Sequence, residues 1–341
     1  MINQDFHPLV SICVPFFGVE KWISRSARSL FEQTYDNLEY IFVNDQTPDN
    51  SQQVLEQTLN EYPDRASNTR ILIHKKNRGS SGARVTALDN VNGDFFIFAD
   101  ADDWLSPDFV KKMVEKQALT NADIVISAYQ NIGNVENLDS PIIHRGIGLN
   151  TKDFFLKEVL AWEKPHFIWG ILFRSSLQRK NQIYPQEGVN CGEDYQILAP
   201  LIYLANTITD ENEAIYYYNV GNSTSMTTLS SDKNILQHWK SIDIVESLFK
   251  NTNQVYKAAI LRFRVHSTLL MLDSIINMQD TSSKMDILRT YARIDNRHKT
   301  GEDALLSSAV NTCNLTYIRI VLQIRRFKRK IFFHLNKLNR T

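Results

Sequence analysis

Three aspartates, Asp100, Asp102 and Asp103, fall within four residues, directly behind the apolar run 95–99. An uncompensated buried carboxylate is costly, and neighbouring like charges repel, so such a cluster calls for a cation. Hard oxygen ligands at alternate positions suit Mg²⁺ or Mn²⁺, and those ions suit a phosphate-bearing substrate. A solvated acidic turn capping the helix after Pro107 would show the same residues. Further along, Gly192-Glu193-Asp194 precedes Tyr195 and an apolar segment. A carboxylate there could take a proton from a hydroxyl. It could equally occupy a first helical turn, where negative charge favours the helix dipole.

The elements that must position these residues alternate. Residues 10–16 read as a strand, and apolar residues then recur at helical spacing up to Phe31. Residues 40–43, 70–74, 95–99 and 124–128 read as further strands, with helices over 51–62 and 80–91. A helix over 195–205 and a strand over 215–218 follow, and beyond 232 the pattern is helical only. This predicts an α/β fold, a mostly parallel sheet flanked by helices, with a C-terminal helical region. In such sheets ligands bind at the carboxyl ends of the strands. Four strand ends carry polar or turn residues: Pro15 to Gly18, Asn44-Asp45, Lys76 to Gly79, and the aspartates. Their convergence on one edge favours a site over four unrelated turns.

Taken in order, these motifs resemble those of glycosyltransferase family 2, enzymes of the GT-A (Rossmann-like) fold that use nucleotide-sugar donors. The resemblance runs from about residue 9 to residue 227. The segment Val10 to Glu20 is similar to the family's first motif, which implies that Pro15, Phe16, Phe17 and Glu20 lie at the nucleobase. The family usually has Tyr-Asn where this chain has Phe17-Gly18. Val43-Asn44-Asp45-Gln46 resembles the second motif and implies that Asp45 accepts a hydrogen bond from the base, most commonly uracil. Gln46 stands where the family has glycine, and Asp49 is expected to cap the next helix. Asn77-Arg78-Gly79 through Arg84 resembles a third motif, implying that Asn77 and Arg84 contact the donor, with Val85 in place of a usual asparagine.

The aspartate cluster then resembles the family's Asp-x-Asp. The resemblance implies Asp102 as metal ligand, Asp100 near ribose and metal, Ala101 beside the donor, and Asp103 toward the acceptor or in a capping role. It also implies Mn²⁺ or Mg²⁺ as cofactor. Gly192-Glu193-Asp194 is similar to the family's Glu-Asp motif, implying Asp194 as catalytic base supported by Glu193. Trp169-Gly170-Ile171 takes the place of Trp-Asn-Lys, so Trp169 is expected to stack on the acceptor, or else to be a core aromatic. Tyr216 to Asn219 with Ser223 to Ser225 resembles a segment that covers the site. His74, His144 and His166 lack ligand spacing and read as structural.

Composition bounds the rest. At 341 residues, 43% apolar and 22% charged, the chain has an ordinary globular composition. Eight of its 38 basic side chains, and none of its 38 acidic ones, lie from Arg319 to Thr341. Residues 1–318 therefore carry 30 basic against 38 acidic side chains, which argues against nucleic acid as a partner. Cys13, Cys191 and Cys313 are too scattered for a zinc or disulfide framework, so a reducing compartment is expected. The first residues show no signal-peptide pattern, and no apolar run is long enough to span a membrane. Ile320, Ile324, Phe327, Ile331, Leu335 and Leu338 form an apolar stripe among basic residues, which fits a helix on an anionic membrane through 318–340. A terminal helix packed on the body would look the same.

These observations predict a glycosyltransferase domain over 1–230, with a nucleotide-sugar-binding half (1–128) and an acceptor half (129–230), and a helical region over 231–341. The expected reaction is metal-assisted and inverting, moving a sugar from a nucleotide-sugar, most commonly a UDP-sugar, to a hydroxyl of a glycan or lipid-linked acceptor. The expected location is cytoplasmic, peripheral at the inner membrane face. Two alternatives stand beside it: a non-catalytic protein that binds sugar nucleotides, and a nucleotidyltransferase. The second is disfavoured because no basic residue follows the first strand before Lys21.

Overall fold

Residues 10–16 are apolar on both faces, and a strand of that kind belongs in the middle of a sheet. The structure, a computed structural model, places it there and describes residues 6–133, 140–144, 150–151, 167–222, 232–277, 280–290 and 308–324. β1 (Val10–Phe16) pairs in parallel with β2 (Leu38–Asn44) on one side and β4 (Phe95–Phe98) on the other. β3 (Thr69–Ile73) adds in parallel to β2 and forms the half-buried edge. The crossovers are helical: α1 (Ile23–Phe31), α2 (Ser51–Leu59) with the short α3 (Pro63–Ala66), and α4 (Gly79–Asp89).

The second half of the sheet is mixed. β5 (Trp104–Leu105) leads into α5 (Phe109–Thr120) and β6 (Ile124–Ile132). β7 (Ile142–Ile143) and β8 (Asn150–Thr151) are short additions to β6 and to β10. β9 (Ile171–Arg174) is antiparallel to both β4 and β6 and lies between them. α6 (Ser175–Asn181) and α7 (Glu193–Leu204) precede β10 (Thr207–Asn219), which runs parallel to β6 and antiparallel to β5. The order is β3-β2-β1-β4-β9-β6-β10-β5. The fold is thus α/β as expected, with two departures from the sequence reading. An antiparallel strand separates the fourth and fifth predicted strands, and β10 begins eight residues earlier than the apolar run that announces it.

The chain divides into two compact units, Met1–Leu229 and Ser230–Thr341. The second contains α8 (Asp232–Leu248), α9 (Gln254–Asn277), α10 (Thr281–Thr290) and helical residues at 308–311 and 315–324. Within it Ile318 is buried while Ile320 and Ile324 are exposed. The rest of the basic amphipathic stripe, from residue 325 on, lies outside the described residues, as do His166 and Ser223 to Ser225. Among the described residues no helix is long and apolar enough to cross a membrane.

Candidate active site

A cleft of about 390 Å³ opens where β1, β2 and β4 end. Nine of the expected site residues line it: Pro15, Phe16, Phe17, Asp45, Asn77, Arg84, Asp100, Ala101 and Asp102. Its size suits a small-molecule ligand. Phe17 is about half exposed, a ring available for stacking. Gly79, Ser80, Asn190 and Asn222 complete the wall.

The turn after β2 shapes one side. Asp45 is buried, accepts hydrogen bonds from Arg78 N (2.7 Å) and Gly79 N (2.7 Å), and lies 2.6 Å from His74 Nδ1. A carboxylate offers about four acceptor positions, so roughly one is left for a ligand N–H. His74 is buried behind it, with Nε2 2.8 Å from Thr86 Oγ1. Gln46 adopts φ 58°, the left-handed conformation that a glycine would take, and its Oε1 accepts Asn77 N at 3.0 Å. Gly18 (φ 67°) and Gly170 (φ 64°) are also left-handed, a region glycine and asparagine share. Three departures from the family pattern therefore keep a left-handed backbone; at Gly18 nothing lies within 4 Å of an added Cβ, whereas at Gly170 a Cβ would meet Ser127 Oγ at 2.8 Å. Asp49 works as a cap: its carboxylate accepts Ser51 N (3.1 Å), at the first residue of α2.

The start of α4 is held by the loop before α7. Asn190 Oδ1 accepts Ser81 N (3.1 Å) and the Ser81 hydroxyl (2.6 Å), capping the helix. Gly79 has φ 76°, and a Cβ there would meet the Asn190 amide at 2.1 Å. Arg84, on the same helix, points into a nest of carboxylates. It is ion-paired and hydrogen-bonded to Glu193, and its Nη2 lies 3.5 Å from Asp100 and 3.4 Å from Asp194. Arg84 Nε and Asp194 Oδ1 are both buried without a hydrogen-bond partner. One guanidinium thus joins the end of β4 to the first turn of α7, whose Glu193 is 109 residues from Arg84.

The aspartate turn is braced from β10. Tyr216 donates its hydroxyl to Asp103 Oδ2 (2.8 Å) and accepts Asp100 N (3.0 Å). Asn219 N donates to Asp103 Oδ1 (2.7 Å), and Asn222 Nδ2 donates to Asp102 Oδ2 (2.8 Å). Burial, then the charge of Asp100, pushes Asp102 up to about 6. Burial also raises Asp100, against the pull of Arg84. Asp194 is pushed up to about 7 by burial, with Arg84 opposing and Glu193 and Asp100 adding to the rise. Five carboxylates, Asp100, Asp102, Asp103, Glu193 and Asp194, lie on these two turns, and three of them, Asp100, Glu193 and Asp194, pair with the guanidinium of Arg84.

That imbalance is the test of a cation. Among the described residues no three His, Cys, Asp or Glu side chains converge as a complete metal cage. Asp100 and Asp102, desolvated and mutually repelling in one cleft, fit a Mg²⁺ or Mn²⁺ ion whose remaining ligands come from phosphate and water.

Other placements differ from expectation. Asp103 is 2% exposed and fully engaged by Tyr216 and Asn219, so it holds the turn and does not face an acceptor. Trp169 is 4% exposed, stacked against Phe167 (4.0 Å between rings) and Tyr216 (4.3 Å). It is the core aromatic of the two readings. Glu20 binds Asn50 N (3.1 Å) and so orients the turn before α2 instead of lining the cleft. Tyr216 and Asn219 are buried strand residues that brace the aspartates, not a cover. Asn190 and Asn222 carried no signal in the sequence, because each is a lone asparagine brought in by a distant loop.

Comparison with known proteins bears on the family and the fold. The sequence profile described as "Glycosyl transferase family 2" matches residues 11–178. The chain is 28% identical over 225 residues to the uncharacterized glycosyltransferase EpsJ of Bacillus subtilis (strain 168), covering 65% of this chain and 64% of EpsJ. It is 27% identical over 219 residues to the putative glycosyltransferase EpsH of the same organism, covering 62% of this chain and 61% of EpsH. The matches therefore span a little under two thirds of those relatives. The fold is similar to the crystal structure of S. aureus TarS 1-349 in complex with UDP-GlcNAc, with a TM-score of 0.75 and 16% identity over 94% of this chain and 92% of that one.

Proposed function

Because this chain belongs to glycosyltransferase family 2 through residues 11–178, we propose that it transfers a sugar from a nucleotide-sugar donor to a hydroxyl of a glycan or lipid-linked acceptor. The observation that carries this reading is the Arg84 junction, which sets Asp194 beside the carboxylates of the donor cleft. A base belongs within reach of the hydroxyl that attacks the reacting carbon.

Asp45 and Asn77, with the exposed ring of Phe17, would receive the nucleobase. The free acceptor position of Asp45 suits the N–H of uracil, and TarS, of similar fold, was crystallised with UDP-GlcNAc. Asp102 and Asp100 would hold Mn²⁺ or Mg²⁺, which when bound neutralises diphosphate oxygens. Asp194 takes the proton from the acceptor hydroxyl. The hydroxyl oxygen forms its bond to the anomeric carbon as the bond to the diphosphate breaks, so the product is inverted. Glu193 keeps Arg84 in place, and Arg84 keeps Asp194 ionisable near neutrality. The same reading puts the chain at the cytoplasmic face of a membrane, touching anionic lipid through 318–340.

The deciding experiment is a thermal-shift screen of nucleoside diphosphates and nucleotide-sugars, each with Mn²⁺, Mg²⁺ or chelator. A ligand that binds only the folded state raises the melting temperature by mass action. UDP and one UDP-sugar should stabilise most, and only with metal. A larger shift with GDP would overturn the uridine assignment, and no shift with any nucleotide would overturn the donor cleft.

A further inference from the structure

A second cleft, of about 600 Å³, lies between α1 and the β5–β10 pair, and the donor reading does not use it. Its walls include Lys21, Arg25 and Arg28 from the α1 side and Trp104 and Tyr217 from the strands. The rings of Trp104 and Tyr217 stack at 5.6 Å and 22°. The Arg25 guanidinium carbon lies over the Trp104 ring, 3.1 Å from its centre.

The charges in this cleft are unevenly satisfied. Arg28 is held by a two-pronged ion pair to Glu61 (2.6 and 2.5 Å), and Glu32, the acidic residue of the wall, accepts the Tyr62 hydroxyl. Arg25 and Lys21 have no carboxylate within 4.0 Å among the described residues. Arg25 Nη1 is buried with no hydrogen-bond partner among the described residues. Partial burial lowers the affinity of this guanidinium for its proton, against an opposing pull from Tyr217. A cation–π contact compensates such a charge in part, and a bound oxyanion would complete it. The aromatic pair beside it offers the apolar surface on which sugar rings pack.

We propose that this cleft binds an anionic saccharide, its phosphate or carboxylate held by Arg25 and Lys21 and its ring against Tyr217. At two points the linings of this cleft and the donor cleft come from residues two apart in the chain. Val19 lines the donor cleft and Lys21 this one, and Asp102 lines the donor cleft and Trp104 this one. The two linings share no residue, so an occupant here lies outside the space of the donor. Binding in this cleft does not depend on the donor reading.

The test is calorimetric titration of the full chain with three oligosaccharides of equal length: glycerol-phosphate-linked, uronate-containing and neutral. At least one anionic oligomer should bind ten or more times tighter than the neutral one, and the difference should shrink at high salt. The anionic oligomer that binds identifies the source of the charge. Lys21→Glu and Arg25→Gln should each weaken that binding at least tenfold while leaving UDP binding unchanged. Lys21 is exposed, so its variant keeps the test informative if loss of the Arg25 stack lowers stability. Equal affinity for the neutral oligomer, or unchanged affinity in the Lys21 variant, overturns the proposal. So does binding to phosphatidylglycerol vesicles with none to either soluble anionic oligomer. UDP titrated into the same samples reports on the donor cleft separately.

Discussion

Arg84 is the residue on which the others depend. It pairs with three carboxylates, Glu193, Asp194 and Asp100, and is itself almost wholly buried. Asp194, as the base, must be ionised to act, so transfer should rise through pH about 7 and level off above it. A pH profile of kcat/KM checks this. Asp194→Asn should lower transfer roughly 10²–10⁴-fold, the range of a lost general base, with nucleotide affinity unchanged. Turnover retained in that variant would remove Asp194 from the role. Arg84→Gln removes the positive charge that favours the ionised base, so the acid limb should move up by about 1–3 pH units. A purely structural Arg84 would lower the rate without moving the limb. At this scale residue identity alone left two roles open. Trp169 and Asp103 have side chains fit for an acceptor, yet both are spent inside the fold, on aromatic stacking and on Tyr216 and Asn219.

The elements decide where the backbone can hold these side chains. Gly18 is left-handed with nothing within 4 Å of a built Cβ, so only backbone conformation matters there. Gly18→Asn should cost no more than roughly 0.5 kcal/mol, and Gly18→Val roughly 1–2 kcal/mol, since a β-branched residue is penalised in that region. Urea unfolding of the two variants measures the difference. Gly79→Ala combines the same strain with a clash at Asn190, whose amide caps α4, and should cost roughly 2–3 kcal/mol. It should also weaken nucleotide binding, because Gly79 N and Arg78 N both point at Asp45. The mixed half of the sheet was harder to read. β5 has two residues, and β10 opens with the polar stretch Thr207 to Glu213 and an irregular register between Glu211 and Ile215. Neither has a period of its own, and pairing partners alone make them strands.

Across the whole molecule, charge is segregated. The basic tail should carry the chain to anionic vesicles at about 1 kcal/mol per basic residue near the surface, and salt should reverse this. Flotation of the full chain, set against a version ending before Ile318, checks it, and equal flotation would remove the tail from that role. By itself the sequence determined the parallel half of the sheet and the strand-end motifs. Apolar runs and turn residues are local properties, written within ten or so positions, and Asp45, Asp100 and Asp102 could be found from them. Only the tertiary structure decided which carboxylates share a counter-ion and which asparagines close the cleft. It also showed that β10 braces the aspartate turn. The physical reason is range: Arg84 meets Glu193 across 109 residues and Asn222 meets Asp102 across 120, and no local pattern encodes a contact that packing alone creates.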